Sequence, residues 1–374
     1  KRLPSKSSCN TVDVVMNRLA DILNHRSRSA GAPARVSLST IAARAGVSVS
    51  TVSRIVNGQL GRANPATVAR VQALIEAYDY RPDKIARALR HGRSRVIAML
   101  APNLDNPAMG AIATSTEAAL RAAGYVMILC DTHDEPALQD EYLEAMRAQS
   151  VEAYVVVSAI ASSALAAFIA RGDPLVLVGR RQPPGAPAAA FVGIDNRDAG
   201  RCAARFLIEA GVKAPALVHT TLTSSAVADR VLGFRAGLEE AGVGRDCLRV
   251  AASSHLQHLH AGYEAARALF SAGGWPDGLF CVSDLMAYGT YRLAREHGVR
   301  VPQDCILVGV DDSPLNEWIA DWLTSVHIPY ADYGSAILKQ LEAVWAGQAA
   351  SDLLLPHHLV NRLKARRKPL SDHD

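Results

Sequence analysis

The residues with the most specific chemistry in this chain lie in one short stretch, VSVSTVSRIVNG at 47–58. An arginine can pair two N–H groups with the O6 and N7 of a guanine, and a small apolar side chain can touch a thymine methyl. Val49, Ser50 and Arg54 offer that chemistry on neighbouring turns. Ser48, Thr51, Ser53 and Asn57 add short polar groups suited to phosphate oxygens, which position an element without reading bases. These groups act together only if one element presents them on one side.

The alternation of Val with Ser or Thr has the period of a half-buried strand, but Arg54-Ile55-Val56-Asn57 breaks it. A helix accounts for more: with Ser48 as N-cap, Val47 and Val52 form a hydrophobic staple, and Val52, Ile55 and Val56 share a face. The preceding STIAARA at 39–45 is helical in pattern, and Gly46 stands where a helix stops in the left-handed region. Two helices joined by a tight Gly-containing turn form a helix-turn-helix, whose second helix enters a major groove. A third helix is predicted from Asn64-Pro65, an N-cap followed by Pro at the first helical position. Leu38 at the start of the first helix, and Asn64 and Thr67 at the start of the third, are added as phosphate or positioning contacts. Beyond Arg81-Pro82-Asp83, the segment KIARALRHGRSR is too short and basic to fold alone. It could become helical on DNA, with Leu89 wedged into a base step, Ile85 beside it, and Lys84, Arg87 and Arg90 on the backbone. A solvated linker fits the same residues.

Charge distribution supports a polyanion-binding front. Residues 1–95 hold 17 Lys/Arg against 5 Asp/Glu, and the other 279 hold 23 against 31. The six cysteines show no CxxC spacing, so buried thiols in a reducing cytoplasm are expected, with no zinc site. His255, His258 and His260 lack an accompanying Cys or acid at ligand spacing and are expected in a solvated loop. No secretion signal or membrane span is expected, and residues 1–35 are expected to be a disordered leader. GxGxxG after a strand, GxSxG and a P-loop are all missing, so no catalytic residues and no cofactor are expected.

From residue 96 onward, short apolar runs at 96–100, 126–129, 154–157, 175–178, 279–282 and 306–310 alternate with Ala-rich helical patterns. That is the βαβ signature of parallel sheets with helices on both faces, whose ligands bind beyond the carboxyl ends of strands. Asn103, Asp105, Asp131, Arg180, Ser283, Asp284 and Asp311 fall at such ends.

The order SLSTIAARAGVSVSTVSRIVNG, then NPATVARVQALIEAYDYRPDKIARALR, resembles the DNA-binding head and hinge of the lactose-repressor (LacI/GalR) family of bacterial transcription regulators. Downstream, VIAMLAPNLDNPAMGAI, FVGIDNRDAGRCAARFLIEAG, SAVADRVLGFRAGL and PDGLFCVSDLMAYGTYRLAREHGVRVPQDCILVGVDDSPL match in order, so the similarity spans about residues 36–363. The resemblance implies an all-α helix-turn-helix head at 36–81 and a hinge helix at 82–94. An α/β periplasmic-binding-protein-like core of two subdomains then runs over 95–363, ahead of a basic tail at 364–374. Subdomain one is expected at 95–194 plus 326–350, and subdomain two at 195–325 plus 351–363.

The resemblance also implies a homodimer at least, on a pseudo-palindromic double-stranded operator, with a small effector between the subdomains. It gives Leu89 the place of the family's minor-groove leucine. Arg230 falls where the family grips its effector, and Ala108, Met109, Arg180, Gln257, Ser283, Asp284 and Asp311 complete the expected contacts. Alternatives stand beside three of these: Arg230 as a surface charge, Asp284 as a helix cap, and Asp311 as a turn cap with Asp312 and Ser313. Ala108-Met109 replaces the paired aromatics common after Asn-Pro in the family, so the cleft reads as cationic and poor in aromatics. A sugar acid or phosphorylated metabolite fits it as well as a neutral sugar. The expected function is thus an effector-controlled, cytoplasmic transcription regulator that is not an enzyme. The alternative is a solute-binding protein of the same core fold without a DNA role.

Overall fold

The computed structural model describes residues 37–56, 58–59, 61, 63–78, 94–182, 187–221 and 224–363. The chain divides into two compact units, Lys1–His91 and Gly92–Asp374. The expected leader, the basic tail, Asn57 and the hinge residues Lys84, Ile85, Arg87, Leu89 and Arg90 lie outside the described residues.

In the first unit, α1 (Leu38–Ala45), α2 (Val49–Val56) and α3 (Pro65–Ala77) pack on one another. The Ser37 hydroxyl accepts from Thr40 N at 3.1 Å, so α1 begins just before the pattern read from sequence. Gly46 closes it at φ 63°, where an L side chain would be strained. Ser48 Oγ accepts from Thr51 N at 3.2 Å, and Asn64 Oδ1 from Ala66 N at 2.9 Å, as the cap residues predicted. Ile41, Ala42, Ala45, Val52, Ile55 and Val71 form a small core, with Val47 against it. Burying Val52 and Ile55 contributes roughly 1.5–3 kcal/mol each, enough to hold a helix that Val, Ser and Thr favour little by themselves.

The second unit is two lobes. The first holds β1 (Val96–Ala101), α4 (Pro107–Ala122), β2 (Val126–Asp131), α5 (Pro136–Ala148), β3 (Ala153–Val157), α6 (Ser163–Ala170), β4 (Leu175–Val178) and β5 (Ala190–Gly193). The chain crosses into the second lobe with α7 (Asn196–Glu209), β6 (Pro215–Thr220), α8 (Ser225–Glu240), β7 (Arg249–Ser253), α9 (His258–Gly273) and β8 (Gly278–Cys281). That lobe continues with α10 (Asp284–Glu296), β9 (Ile306–Asp311), α11 (Asn316–Ile319) and β10 (Thr324–His327). It returns with α12 (Tyr330–Trp345) against α4 and adds β11 (Asp352–Leu354) to the first sheet. It then crosses once more to lay β12 (His358–Val360) on the second. The sheets run β11-β5-β4-β3-β1-β2 and β12-β10-β9-β8-β6-β7, parallel throughout except where β12 pairs antiparallel with β10. Central strands such as β1 and β3 are buried on both faces, which explains their unbroken apolar runs.

Two boundaries expected from sequence shift. Residues 352–354 pair in register with 191–193 of the first lobe rather than joining the second. Residues 326–327 pair with 310–311 in the second sheet rather than joining the first. The strands concerned are three or four residues long, too short for a pattern to show which sheet takes them.

Gly200 on α7 and Gly233 on α8 let these helices touch backbone to backbone: a Cβ on Gly200 would strike the Arg230 carbonyl, and one on Gly233 the Arg197 carbonyl. This crossing brings the start of α7 beside the first turns of α8.

Candidate functional site

On the first unit, the free side of α2 carries the side chains that could meet a base edge. Val49 is 44% exposed and Ser50 exposed, although nothing in the core asks for either, while Arg54 is half-buried. Ser48, Ser50 and Thr51 link hydroxyls at 2.8 and 2.9 Å over the helix start, and Ser53 is half-buried on the same short helix. The Leu38 side chain packs against the head's core, so a positioning contact from it falls to its backbone N–H in the first turn of α1. Asn64 spends its carbonyl oxygen on the cap and keeps its amide N–H groups, with Thr67 half-buried one turn on.

In the second unit, the carboxyl ends of both sheets face each other across a cleft. Arg230 is not a surface charge. Its Nε donates to Asn196 Oδ1 at 2.8 Å and its Nη1 to the Val282 carbonyl at 2.7 Å. Asn196 opens α7, so the glycine crossing is what brings this pair together. Among the described residues nothing hydrogen-bonds Nη2 of Arg230. From the first lobe, Arg180 pairs with Asp134 at 3.0 Å.

His258 stands between the two arginines, its Nδ1 sharing a 3.0 Å hydrogen bond with Ser283 Oγ. Burial, then the charges of Arg180 and Arg230, pull its pKa down to about 4, so it is neutral at pH 7. The expectation of a solvated histidine loop is corrected here, because His258 begins α9 and turns inward. Gln257, expected to face an effector, is exposed and only precedes that helix.

The two carboxylates behave differently from each other. The Asp284 carboxylate, 1% exposed, accepts from Ser313 N at 2.8 Å, Asn316 Nδ2 at 2.7 Å and Ser325 Oγ at 2.6 Å, all of its own lobe. Asp284 is thus engaged by its own lobe in this conformation while still lining the cleft, and the helix cap is Ser283, through Met286 N. Asp311 ends β9 at φ 122°, a strained backbone for a residue with a side chain. Its carboxylate accepts from the Tyr330 hydroxyl at 2.8 Å. Burial raises the pKa of both acids; the charge of Asp311 raises that of Asp284 further, while the Arg230 charge works against the rise at Asp311. Asp312, rather than capping the turn, pairs with His327 and Arg362.

Asn106 and Ala108 of the first lobe meet Asp284, Asp311, Ser313 and Tyr330 around a space of about 10 Å³, room for about one water. Met109 is partly buried against the core instead. Tyr330, partly buried with the Tyr333 ring tilted against it at 5.7 Å, supplies the aromatic surface that Ala108-Met109 lacks. Sequence reading missed Tyr330 and Asn196, and it named His258 beside Gln257 near the family's usual aromatic contact but set it in a solvated loop. All three are first residues of helices, and only the sheet topology shows that those helix starts converge.

Known proteins agree with this architecture. A family model described as "Bacterial regulatory proteins, lacI family" matches residues 37–83, and one for a periplasmic binding protein-like domain matches 204–363. The HTH-type transcriptional regulator PtxS of Pseudomonas plecoglossicida is 30% identical over 309 residues, 82% of this chain and 88% of that protein. The lac repressor dimer bound to operator and the anti-inducer ONPF superposes with a TM-score of 0.76 at 23% identity, covering 87% of this chain and 98% of that one. A complex of the transcriptional regulator CelR with cellobiose gives a TM-score of 0.64 at 28% identity over 87% and 98%. With its helix-turn-helix head and two-lobed ligand-binding core, the chain belongs to the lacI family of bacterial regulatory proteins and is a DNA-binding transcriptional regulator, not an enzyme.

Proposed function

We propose that two copies of this chain repress transcription from a pseudo-palindromic operator in the cytoplasm, and that a small anionic, hydroxyl-rich metabolite in the cleft controls that grip. Val49, Ser50 and Arg54 read bases in the major groove. Leu38, Ser48, Thr51, Ser53, Asn57, Asn64 and Thr67 hold the backbone, and the segment carrying Lys84, Ile85, Arg87, Leu89 and Arg90 enters the minor groove. The relative solved with its operator is a dimer, and the relative solved with cellobiose takes a sugar, which supports both halves of this reading.

The observation that carries the ligand class is Arg230, fixed through two of its nitrogens, with the third making no hydrogen bond to a described residue and its charge near Asp311. A carboxylate or phosphate on a sugar-like body satisfies that nitrogen, and His258, Asp311 and Tyr330 are placed to take hydroxyls. A metabolite is far larger than the present space, so the lobes must part to admit it. Ligand and operator then compete or cooperate through that motion, with equal coupling in both directions.

The test is calorimetric titration of the full chain with sugar acids, sugar phosphates and their neutral counterparts, with and without operator DNA. Preferential binding of the acids, lost in Arg230→Gln, supports the proposal. Tighter binding of neutral sugars by both proteins would remove the anionic part and leave the repressor reading intact.

A further inference from the structure

A group of side chains outside the cleft has no part in reading DNA or binding the effector. Asp198 and Cys202 lie one turn apart on α7, and His357 lies in the last crossing, between β11 and β12. One ligand atom from each falls within 4.8 Å of the other two. His357 Nε2 is 3.2 Å from Asp198 Oδ2, and Cys202 Sγ is 3.8 Å from the same oxygen. We infer that Asp198, Cys202 and His357 form a binding site for a divalent transition-metal ion, zinc by the chemistry of its donors.

Three observations carry this. First, the His357 side chain is 8% exposed, and its Nε2 is buried without a hydrogen-bond partner because the approach to Asp198 is badly angled for one. A buried ring nitrogen left this way is destabilising, and a metal ion in that direction satisfies it. Second, bonds of about 2.3 Å to sulfur and about 2.0–2.1 Å to nitrogen and oxygen set tetrahedral ligand atoms about 3.3–3.6 Å apart. The observed 3.2 and 3.8 Å bracket that separation and the third pair lies within 4.8 Å, so side-chain rotations can close the site. Third, the place already attracts a cation: Arg205 Nη2 donates to Cys202 Sγ at 3.2 Å and lies 3.7 Å from Asp198 Oδ1. The Arg205 side chain is 57% exposed and can swing into solvent when an ion replaces its charge.

The mixture of thiolate, imidazole and carboxylate selects against Mg²⁺ and Ca²⁺, which prefer all-oxygen sites, and leaves a fourth position for water. Sequence spacing hides the group, since Cys202 and His357 are 155 positions apart. The ion would tie the last crossing to α7, the helix whose first residue holds Arg230, and so stiffen one of the segments on which lobe motion turns.

The full-length chain, stripped with a chelator, is titrated with Zn²⁺ against a metal-binding dye and with Co²⁺ by absorption spectroscopy. One equivalent should bind, with a thiolate-to-cobalt charge-transfer band. Loss of an outer partner alone typically weakens a metal about 10–100-fold, so Cys202→Ser and His357→Gln should each weaken Zn²⁺ by about 100-fold or more. Cys202→Ser should abolish the band, and Cys247→Ser should leave both readouts unchanged. Arg205→Gln removes the competing cation and should tighten binding about tenfold, a gain that misfolding cannot produce. No saturable binding by the wild-type chain, or wild-type affinity in both Cys202→Ser and His357→Gln, would overturn the assignment.

Discussion

The Tyr330 hydroxyl donates to the Asp311 carboxylate at 2.8 Å, joining the first residue of a helix that packs on one lobe to the last strand residue before the turn in the other. The bond sits on the wall of the cleft, so any ligand that takes Asp311 as its acceptor must displace or share it. Tyr330→Phe leaves a buried carboxylate short of a donor and should favour parted lobes. Small-angle scattering of the effector-free variant should report a larger radius of gyration than the wild type, and effector affinity should change by about tenfold. Identical scattering curves would remove the latch.

Arg54→Ala should lower operator affinity by roughly 1–3 kcal/mol and relax preference at one base position in each half-site. Selection of bound fragments from a randomised pool checks both. A uniform loss across all sequences would reassign Arg54 to the phosphates.

Arg230→Gln should abolish effector binding and also destabilise the core by roughly 1–3 kcal/mol, because Asn196 and the Val282 carbonyl lose a charged donor. Denaturant unfolding measures the second effect and calorimetry the first. Stability loss with unchanged effector affinity would make this arginine purely structural.

His258 titrates at about 4 in the folded chain against 6.5 when free. Between those values the unfolded state holds a proton that the folded state refuses, so stability falls as pH drops through that window, by roughly 1–3 kcal/mol in all. The raised carboxylates Asp284 and Asp311 act in the opposite sense, gaining stability as they protonate. The clean measure is therefore the difference between wild type and His258→Asn in urea midpoints at pH 7.5 and 5. The wild type should lose more on acidification; equal losses would show that His258 is not the group responsible.

Gly200→Ala should fail differently from an ordinary helix substitution. Alanine favours helix over glycine by about 1 kcal/mol, yet here its methyl collides with the Arg230 carbonyl. A lowered melting temperature together with weakened effector binding is expected, since α8 cannot separate from α7 without moving Arg230. A stabilised variant with wild-type binding would show the helices free to slip.

The head was legible almost to the residue because its signals are local. A staple, two caps and a glycine stop each operate over four or five residues, and Val47, Val52, Ser48, Gly46 and Asn64 do what their spacing says. Six strands of the core, β1 to β4, β8 and β9, were legible as apolar runs, whereas β5, β6, β7, β10, β11 and β12 were not singled out. The cleft was less so. Asp284 looked like a ligand contact because it follows a strand, but the partners that consume it are 29, 32 and 41 residues away. Resemblance pointed to the right turn at 257–258 and favoured Gln257; only packing shows that the next side chain is the one turned inward. Those differences share a cause: which groups converge is set by long-range topology, and side-chain type alone does not encode it.

The three crossings between lobes have a genetic consequence. Each lobe is assembled from separated stretches of the chain, with α12 and β11 returning to the first after the second is nearly complete. No single cut in the gene releases either lobe as a continuous piece, so recombination can trade ligand specificity between relatives only by moving the whole two-lobed core. The residues of α1 to α3 are contiguous, and one crossover is enough to give an old sensor a new address on the chromosome.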